Sequence, residues 1–204
     1  MENILVGKGP EKERFYLKEL QEEDLDMAVT LCDRCVGVNL YPRKELASAI
    51  QRKNHFFYLL LTSDGKAAGY IYFFTTVIKE LSTRARLPED QIAAVCSNKE
   101  GVIGNIQSIG VADAFRGKGL SVSLLEFSLK NLAELMADTA FIVCWKIGKR
   151  VPLRASLEKL DFCYLSDAHK VWYDLPDLIC PYCAGRCKCD AAVYYKPLTK
   201  EDAL

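Results

Sequence analysis

The chain has 204 residues, half of them hydrophobic, and its 27 Lys and Arg balance its 27 Asp and Glu. That length and apolar share fit one well-cored domain with room for a small addition, and they exclude an intrinsically disordered chain. A formal net charge of zero excludes a global electrostatic footprint for nucleic acid or an anionic membrane, so nucleic-acid contact is not expected. No stretch nears the roughly 18 apolar residues that read as a membrane span, and residues 1–10 lack the basic start and apolar run of a secretory signal. The expectation is a cytoplasmic protein with no membrane partner; a homodimer stays open. In that compartment nine cysteines read as buried thiols or metal ligands rather than disulfides.

Residues 14–20 alternate Phe15 and Leu17 with charged neighbours, which predicts a strand. Residues 22–35 set Leu25, Ala28, Val29 and Cys32 at helical spacing. Pro42 can open a second helix through Ala47 and Ile50. Residues 55–62 form a continuous apolar and aromatic run, Ser63-Asp64-Gly65 is a turn, and residues 66–77 form a second run, so the two make a hairpin. Residues 78–102 are long for a connection and carry one helix-like piece after Pro88, the pattern of a lid or binding loop. Then come a strand over 102–111, a helix over 117–138, a buried strand over 139–147 and a short helix over 152–160. Residues 162–165 and 170–175 read as a closing hairpin. The composition shifts at Pro176, so the expected organisation is a main domain over 1–176 and a Cys-rich tail over 177–204.

Two segments carry chemistry. In the strand over 102–111, the apolar residues fall on even positions at Val102 and Ile106, then on odd positions at Ile109 and Val111. A period-two pattern that changes phase implies an extra residue near Gln107 and Ser108, a bulge, unless both faces are simply buried. The glycines of Arg116-Gly-Lys-Gly-Leu-Ser121 then lead into a helix whose Leu125, Leu129, Leu132 and Met136 form an apolar stripe. Free amides and the positive end of the helix dipole at such a turn suit a phosphate, with Arg116 and Lys118 adding charge. The plainer reading is a glycine turn with a solvated basic pair.

The second segment is Cys180-Pro-Tyr-Cys183-Ala-Gly-Arg-Cys187-Lys-Cys189. Four thiolates can complete a tetrahedral zinc shell, and a closed shell of this kind is structural rather than catalytic. An iron–sulfur cluster, a Cu(I) site and a set of free or paired thiols stay open. The remaining cysteines are weaker signals: Cys32 and Cys35 share a helix face, and Cys96, Cys144 and Cys163 sit among apolar neighbours and are expected to be buried. Arg186 and Lys188 are too few charges to bind nucleic acid.

The run from Val111 through Arg116-Gly-Lys-Gly-Leu-Ser121, after an apolar strand and before a long helix, resembles the acetyl-CoA motif of the GNAT superfamily of acyltransferases. Arg116 and Gly119 match the pattern Arg/Gln-x-x-Gly-x-Gly/Ala, and Ser121 stands where Gly or Ala is usual. Ser156-Leu-Glu-Lys-Leu-Asp-Phe162 is similar to the family's late helix. The resemblance spans about residues 14–175 and implies an α/β fold with a mixed, mostly antiparallel sheet flanked by helices, here with a Cys-rich C-terminal appendage.

It also implies that the backbone of Ile109, Gly110 and Val111 bonds the pantetheine arm of acetyl-CoA. Gly117, Lys118, Gly119, Leu120 and Ser121 would hold the pyrophosphate beside Arg116. The activity implied is acetyl transfer to an amine, either a small molecule or a protein. The pattern breaks at two points. Gln107 stands where a Glu base is frequent, and Leu157 stands where a Tyr acid is common. Gln107 can position a water or an amide, and Tyr164, Tyr173 or His169 would have to supply the acid; Tyr164 is the first choice. The alternative is a catalytically weakened acyl-CoA-sensing or interaction module.

Overall fold

A computed structural model describes residues 2–6, 13–183, 185–199 and 202. Eight strands form one sheet: β1 (Glu2–Val6), β2 (Glu13–Glu19), β3 (His55–Thr62), β4 (Ala67–Thr76), β5 (Ile103–Val111), β6 (Thr139–Lys146), β7 (Cys163–Ala168) and β8 (Asp190–Pro197), in the order β1-β2-β3-β4-β5-β6-β8-β7. All neighbours are antiparallel except β5 and β6. Among the described residues six α-helices flank it: α1 (Leu25–Cys35), α2 (Arg43–Ala49), α3 (Ile78–Ala85), α4 (Glu89–Ala93), α5 (Leu120–Glu134) and α6 (Arg154–Lys159). No helix among the described residues is long and apolar enough to cross a membrane.

The β3–β4 hairpin shows how local chemistry sets register. Thr62 accepts the amide of Gly65 at its carbonyl, 2.9 Å away, and its hydroxyl donates to Asp64. Gly65 sits at φ +79°, which favours a residue without Cβ. The strands leaving this turn alternate their side chains between two cores. Ile71 and Phe73 pack against Leu120, Leu124, Leu125 and Leu132 of α5, with α6 supplying Leu157. Tyr70, Tyr72 and Phe74 pack on the opposite face against α1 and α2, through Leu25, Ala28, Cys32 and Leu46. Farther along that second face, α3 and α4 cover Ile103, Phe141 and Val193.

Several elements depart from the sequence reading. The connection over 78–102 holds two helices, because Ile78, Leu81 and Ala85 bury one face of α3. The helix expected to 138 ends at Glu134, so Met136, at φ +64°, lies past its end and is 78% exposed. Residues 170–175 are turns, and the hairpin partner of β7 is β8. Cys163 is exposed at the start of that edge strand. The cysteine-rich segment is the connection between β7 and β8, and β8 lies between β6 and β7 in the sheet. The division at residue 176 falls within this connection.

A chain ending at residue 176 loses β8 from between two strands. It is expected to lose cooperative unfolding in urea, because cooperativity needs a continuous core. A single sharp transition of the truncated chain would contradict that placement.

Candidate functional site

The bulge read from the apolar phase is present. Tyr72 pairs with Ser108 and Phe73 with Ile106, leaving Gln107 as the extra residue on β5. As a result two consecutive side chains reach the same face. Gln107 donates from Nε2 to the Tyr41 hydroxyl at 3.4 Å, and the hydroxyls of Ser108 and Tyr70 meet at 2.8 Å. Asn105 Nδ2 donates to Gln107 Oε1 at 2.9 Å, fixing which end of the amide faces Tyr41. Tyr41 has no sequence signal beyond preceding Pro42; the α1–α2 connection carries it under the bulge. Burial raises its pKa, so it stays a neutral hydroxyl.

At the bulge the parallel pair parts. β5 and β6 share register only over Gly104–Ile106 and Ala140–Ile142. Beyond that point β5 runs on to Val111 with β4 on one side, and β6 runs on to Lys146 with β8 on its far side. The diverging strands leave main-chain groups of residues 107–111 facing a gap. Gly110 is packed from behind: a Cβ there would come within 2.7 Å of Cys35 Cβ and closer still to the Tyr70 ring. Burial lifts the Cys35 thiol to about 11, which keeps it protonated in neutral solution.

β5 leads through a single 3₁₀ turn, Asp113–Phe115, to the glycine pair. Gly117 and Gly119 take φ +79° and +83°, and a Cβ at either would meet nothing within 4 Å. The backbone therefore favours glycine while the space above it is open. Gly119 is the N-cap of α5, so the first amides of that helix have no intrahelical acceptor. Arg116 is held by Val111 O at 3.1 Å and Asp113 at 2.8 Å, Lys118 is paired with Glu13, and Ser121 Oγ meets Ser156 Oγ at 2.8 Å. Both cations at this turn are thus already paired with carboxylates.

On the other side of Gln107 lies a cavity of about 660 Å³, within the range of ligand pockets. Its walls come from the α1–α2 connection (Leu40, Tyr41), from α2 (Glu45), from β5 and β6 (Gln107, Val143), and from the β7–β8 connection (Trp172, Leu178). The two connections are stitched together: Ile179 N donates to Val38 O at 2.9 Å, and Asn39 Nδ2 to Asp177 O at 3.2 Å.

Of the acid candidates, Tyr164 stacks edge-on against Tyr194 at 5.7 Å, on the sheet face covered by α5 and α6. It is 56% exposed, and the cavity opens on the opposite face. The structure therefore does not bring Tyr164 together with Gln107. Leu157 is fully buried against α5, and His169 is exposed beside Asp190. His55, which has no partner in sequence, meets the Tyr72 hydroxyl at 2.8 Å and stacks on Phe74 at 4.3 Å.

The four cysteines converge. Their sulfurs lie within 4.8 Å of one another, with Cys180–Cys189 at 3.7 Å and Cys183–Cys189 at 3.6 Å. Four sulfurs at ~2.3 Å from a tetrahedral centre stand about 3.8 Å apart, so these spacings fit such a centre. The amides of Tyr182 and Lys188 donate to Cys180 and Cys183 sulfurs at 3.5 and 3.3 Å. The second of these lowers the Cys183 pKa, while burial raises those of Cys187 and Cys189.

No family model and no curated protein matches the sequence. Solved structures do match the fold. NAA60 of Arabidopsis thaliana, in complex with a bisubstrate analogue, aligns with a TM-score of 0.68 at 12% identity over 91% of this chain and 99% of its own. The ribosomal-protein-S18-alanine N-acetyltransferase of Escherichia coli aligns at 0.61 with 18% identity over 91% and 94%. A GNAT-family acetyltransferase of Streptococcus pneumoniae aligns at 0.60 with 14% identity over 90% and 99%.

Burial and the cations Arg52 and Arg84 depress the pKa of His55 from 6.5 to about 4. Between those values the unfolded chain binds the proton and the folded one does not, so this group's contribution is complete above about pH 6.5 and is lost as pH falls through about 4. The difference in unfolding free energy between the natural chain and His55→Gln is expected to shrink over that window. A pH-independent difference in urea titrations would contradict the assignment.

Proposed function

We propose that this chain, which has the fold of the GNAT acetyltransferases, is an acetyl-CoA-dependent N-acetyltransferase that moves an acetyl group to an amine. The observation that carries this reading is the parting of β5 and β6 at Gln107, continuous with the open turn at Gly117 and Gly119. An extended pantetheine arm fits along Ile109, Gly110 and Val111, where the main-chain groups on the edge away from β4 can bond its amides. The pyrophosphate fits the amides of Gly117, Lys118, Gly119, Leu120 and Ser121, with Arg116 and Lys118 released from Asp113 and Glu13 to meet its charge.

The thioester then lies at the bulge, where a backbone N–H can polarise its carbonyl. The acceptor amine approaches from the cavity on the far side, which keeps the two substrates on opposite faces until they meet. Gln107 and Tyr41 act there as positioning groups, since neither an amide nor a neutral buried phenol takes a proton near pH 7. Glu45, Asp174 and Asp177 are carboxylates on the cavity wall that could accept the amine's proton through water, and Glu45 is our first choice because Asp174 is paired with Arg86. Some of the similar folds belong to enzymes that acetylate protein amines, as the Escherichia coli enzyme's name states. A protein or peptide amine is therefore the first acceptor class to assay.

We assign zinc to Cys180, Cys183, Cys187 and Cys189, whose donor set and spacing suit it. When bound, zinc would act as a cross-link, because four thiolates leave no position for water. A second reading, an acyl-CoA-sensing module with weak or no transfer, is favoured by the amide at Gln107 and the buried Leu157. Thiol release from acetyl-CoA against a panel of peptide and small amines separates the two: turnover supports the enzyme, while binding without turnover supports the sensor.

Gly119→Glu places bulk and negative charge in the open space over the turn, at a φ of +83°. Calorimetry is expected to show at least a hundredfold loss of CoA affinity, about 2.7 kcal/mol; unchanged affinity would contradict the cradle. Cys183→Ser is expected to abolish stoichiometric zinc by elemental analysis, and retention of one zinc per chain would contradict the ligand set.

A further inference from the structure

We propose that the four-cysteine centre shapes the acceptor cavity, so that metal occupancy governs acceptor binding and leaves the acyl-CoA cradle unchanged. The inference rests on reading the cavity beside Gln107 as the acceptor side.

Three side chains belong to both places. Leu178, only 2% exposed, packs in one cluster with Cys180, Cys187 and Cys189, and it also lines the cavity. Leu40 and Trp172 pack against the same cysteine cluster and line the same cavity. These side chains therefore form a wall common to the thiol cluster and the cavity. The centre also grips the loop from its own turn. Arg186, between Cys183 and Cys187, donates to the Tyr173 carbonyl and lies over the Tyr173 ring at 4.3 Å. That holds the strap beside Trp172 against the cysteine turn.

Apart from Val171 and Trp172, which pack on the cluster of Phe141 and Val193, and the ring contact of Trp172 with Trp145 at 4.9 Å, few contacts fix this strap. Its backbone bonds are short-range turns, Tyr173 N to Lys170 O and Leu175 N to Trp172 O, and its ion pair between Asp174 and Arg86 is solvent-facing. Exposed pairs of this kind contribute little order. The long β7–β8 connection must lose conformational freedom to form a wall, and a four-thiolate chelate offsets that cost when zinc binds. The effect then passes to the α1–α2 connection through Val38–Ile179 and through Gly37. A Cβ on Gly37 would lie 3.1–3.3 Å from Ile179 O, Pro181 Cδ and Leu178 Cδ1. No residue of the cradle at 109–111 or 116–121 belongs to the cysteine cluster among the described residues.

Hydrogen exchange read by mass spectrometry tests this on the full chain without CoA: zinc-loaded, stripped by a chelator, and reloaded with zinc chloride. Stripping is expected to cost about tenfold or more in protection at residues 37–42 and 171–179, to spare 104–111 and 120–134, and to reverse on reloading. The Kd for CoA, by calorimetry, is expected to match in both forms. The proposal is overturned by unchanged protection at 37–42 and 171–179 after zinc has demonstrably left. It is also overturned by equal loss throughout the chain, or by a chain that takes up no zinc. Failure of CoA to bind either form would instead contradict the acyl-CoA reading, because the exchange comparison does not use CoA. Gly37→Ala gives a second test without stripping. It should retain zinc yet raise exchange at 171–179, and zinc retention with unchanged exchange would overturn the proposed contact path.

Discussion

The candidate site depends on one interruption: the parallel pairing of β5 with β6 stops after Ile106 and Ile142. Had the ladder continued, the main chain of residues 107–111 would be consumed by strand pairing, and no slot would open between the sheet halves. The bulge at Gln107 ends it. One extra residue turns two successive side chains, Gln107 and Ser108, toward the hydroxyls of Tyr41 and Tyr70. Those bonds tie the bulge to the α1–α2 connection and to β4, and they leave the opposite edge of the strand free. Gly110 completes the arrangement by allowing Cys35 and Tyr70 to pack behind that edge.

The interruption also separates two tasks. Toward α5, the strand ends in a turn whose positive φ angles and open surroundings suit phosphate. Toward α1 and α3, it floors, together with β6, a cavity whose other walls are mostly loops. A sheet interior can hold a common cofactor at one geometry, while loops can vary to fit an acceptor. In this chain the variable side has its own brace, the four cysteines, placed between two neighbouring strands of the sheet.

Much of this was legible in the sequence, and the rest was hidden for definite reasons. The phase change between Ile106 and Ile109 located the bulge, because side-chain period in a strand is a strict two. The glycines marked the helix start, because a residue without Cβ adopts the positive φ found there most readily. The cysteine spacing marked the cluster. What sequence could not convey was adjacency. Nothing in Ala191–Tyr195, a run of small and aromatic residues after a cysteine-rich loop, says that this strand slips between β6 and β7. Tyr41 reaches Gln107 across 66 residues of chain, a contact made by tertiary packing. Tyr164 looked suitable because a phenol is a good acid, yet strand alternation turns it to the face away from the cavity.

The central claim is that the gap between β5 and β6 is an acyl-CoA slot. A crystal structure of the full chain grown with acetyl-CoA tests it most directly. The account predicts the pantetheine arm extended between the two strands, bonded to the main chain at 109–111, with the pyrophosphate on the amides of 117–121. Acetyl-CoA bound elsewhere, or β5 and β6 found paired through Val111 with the gap closed, would contradict it.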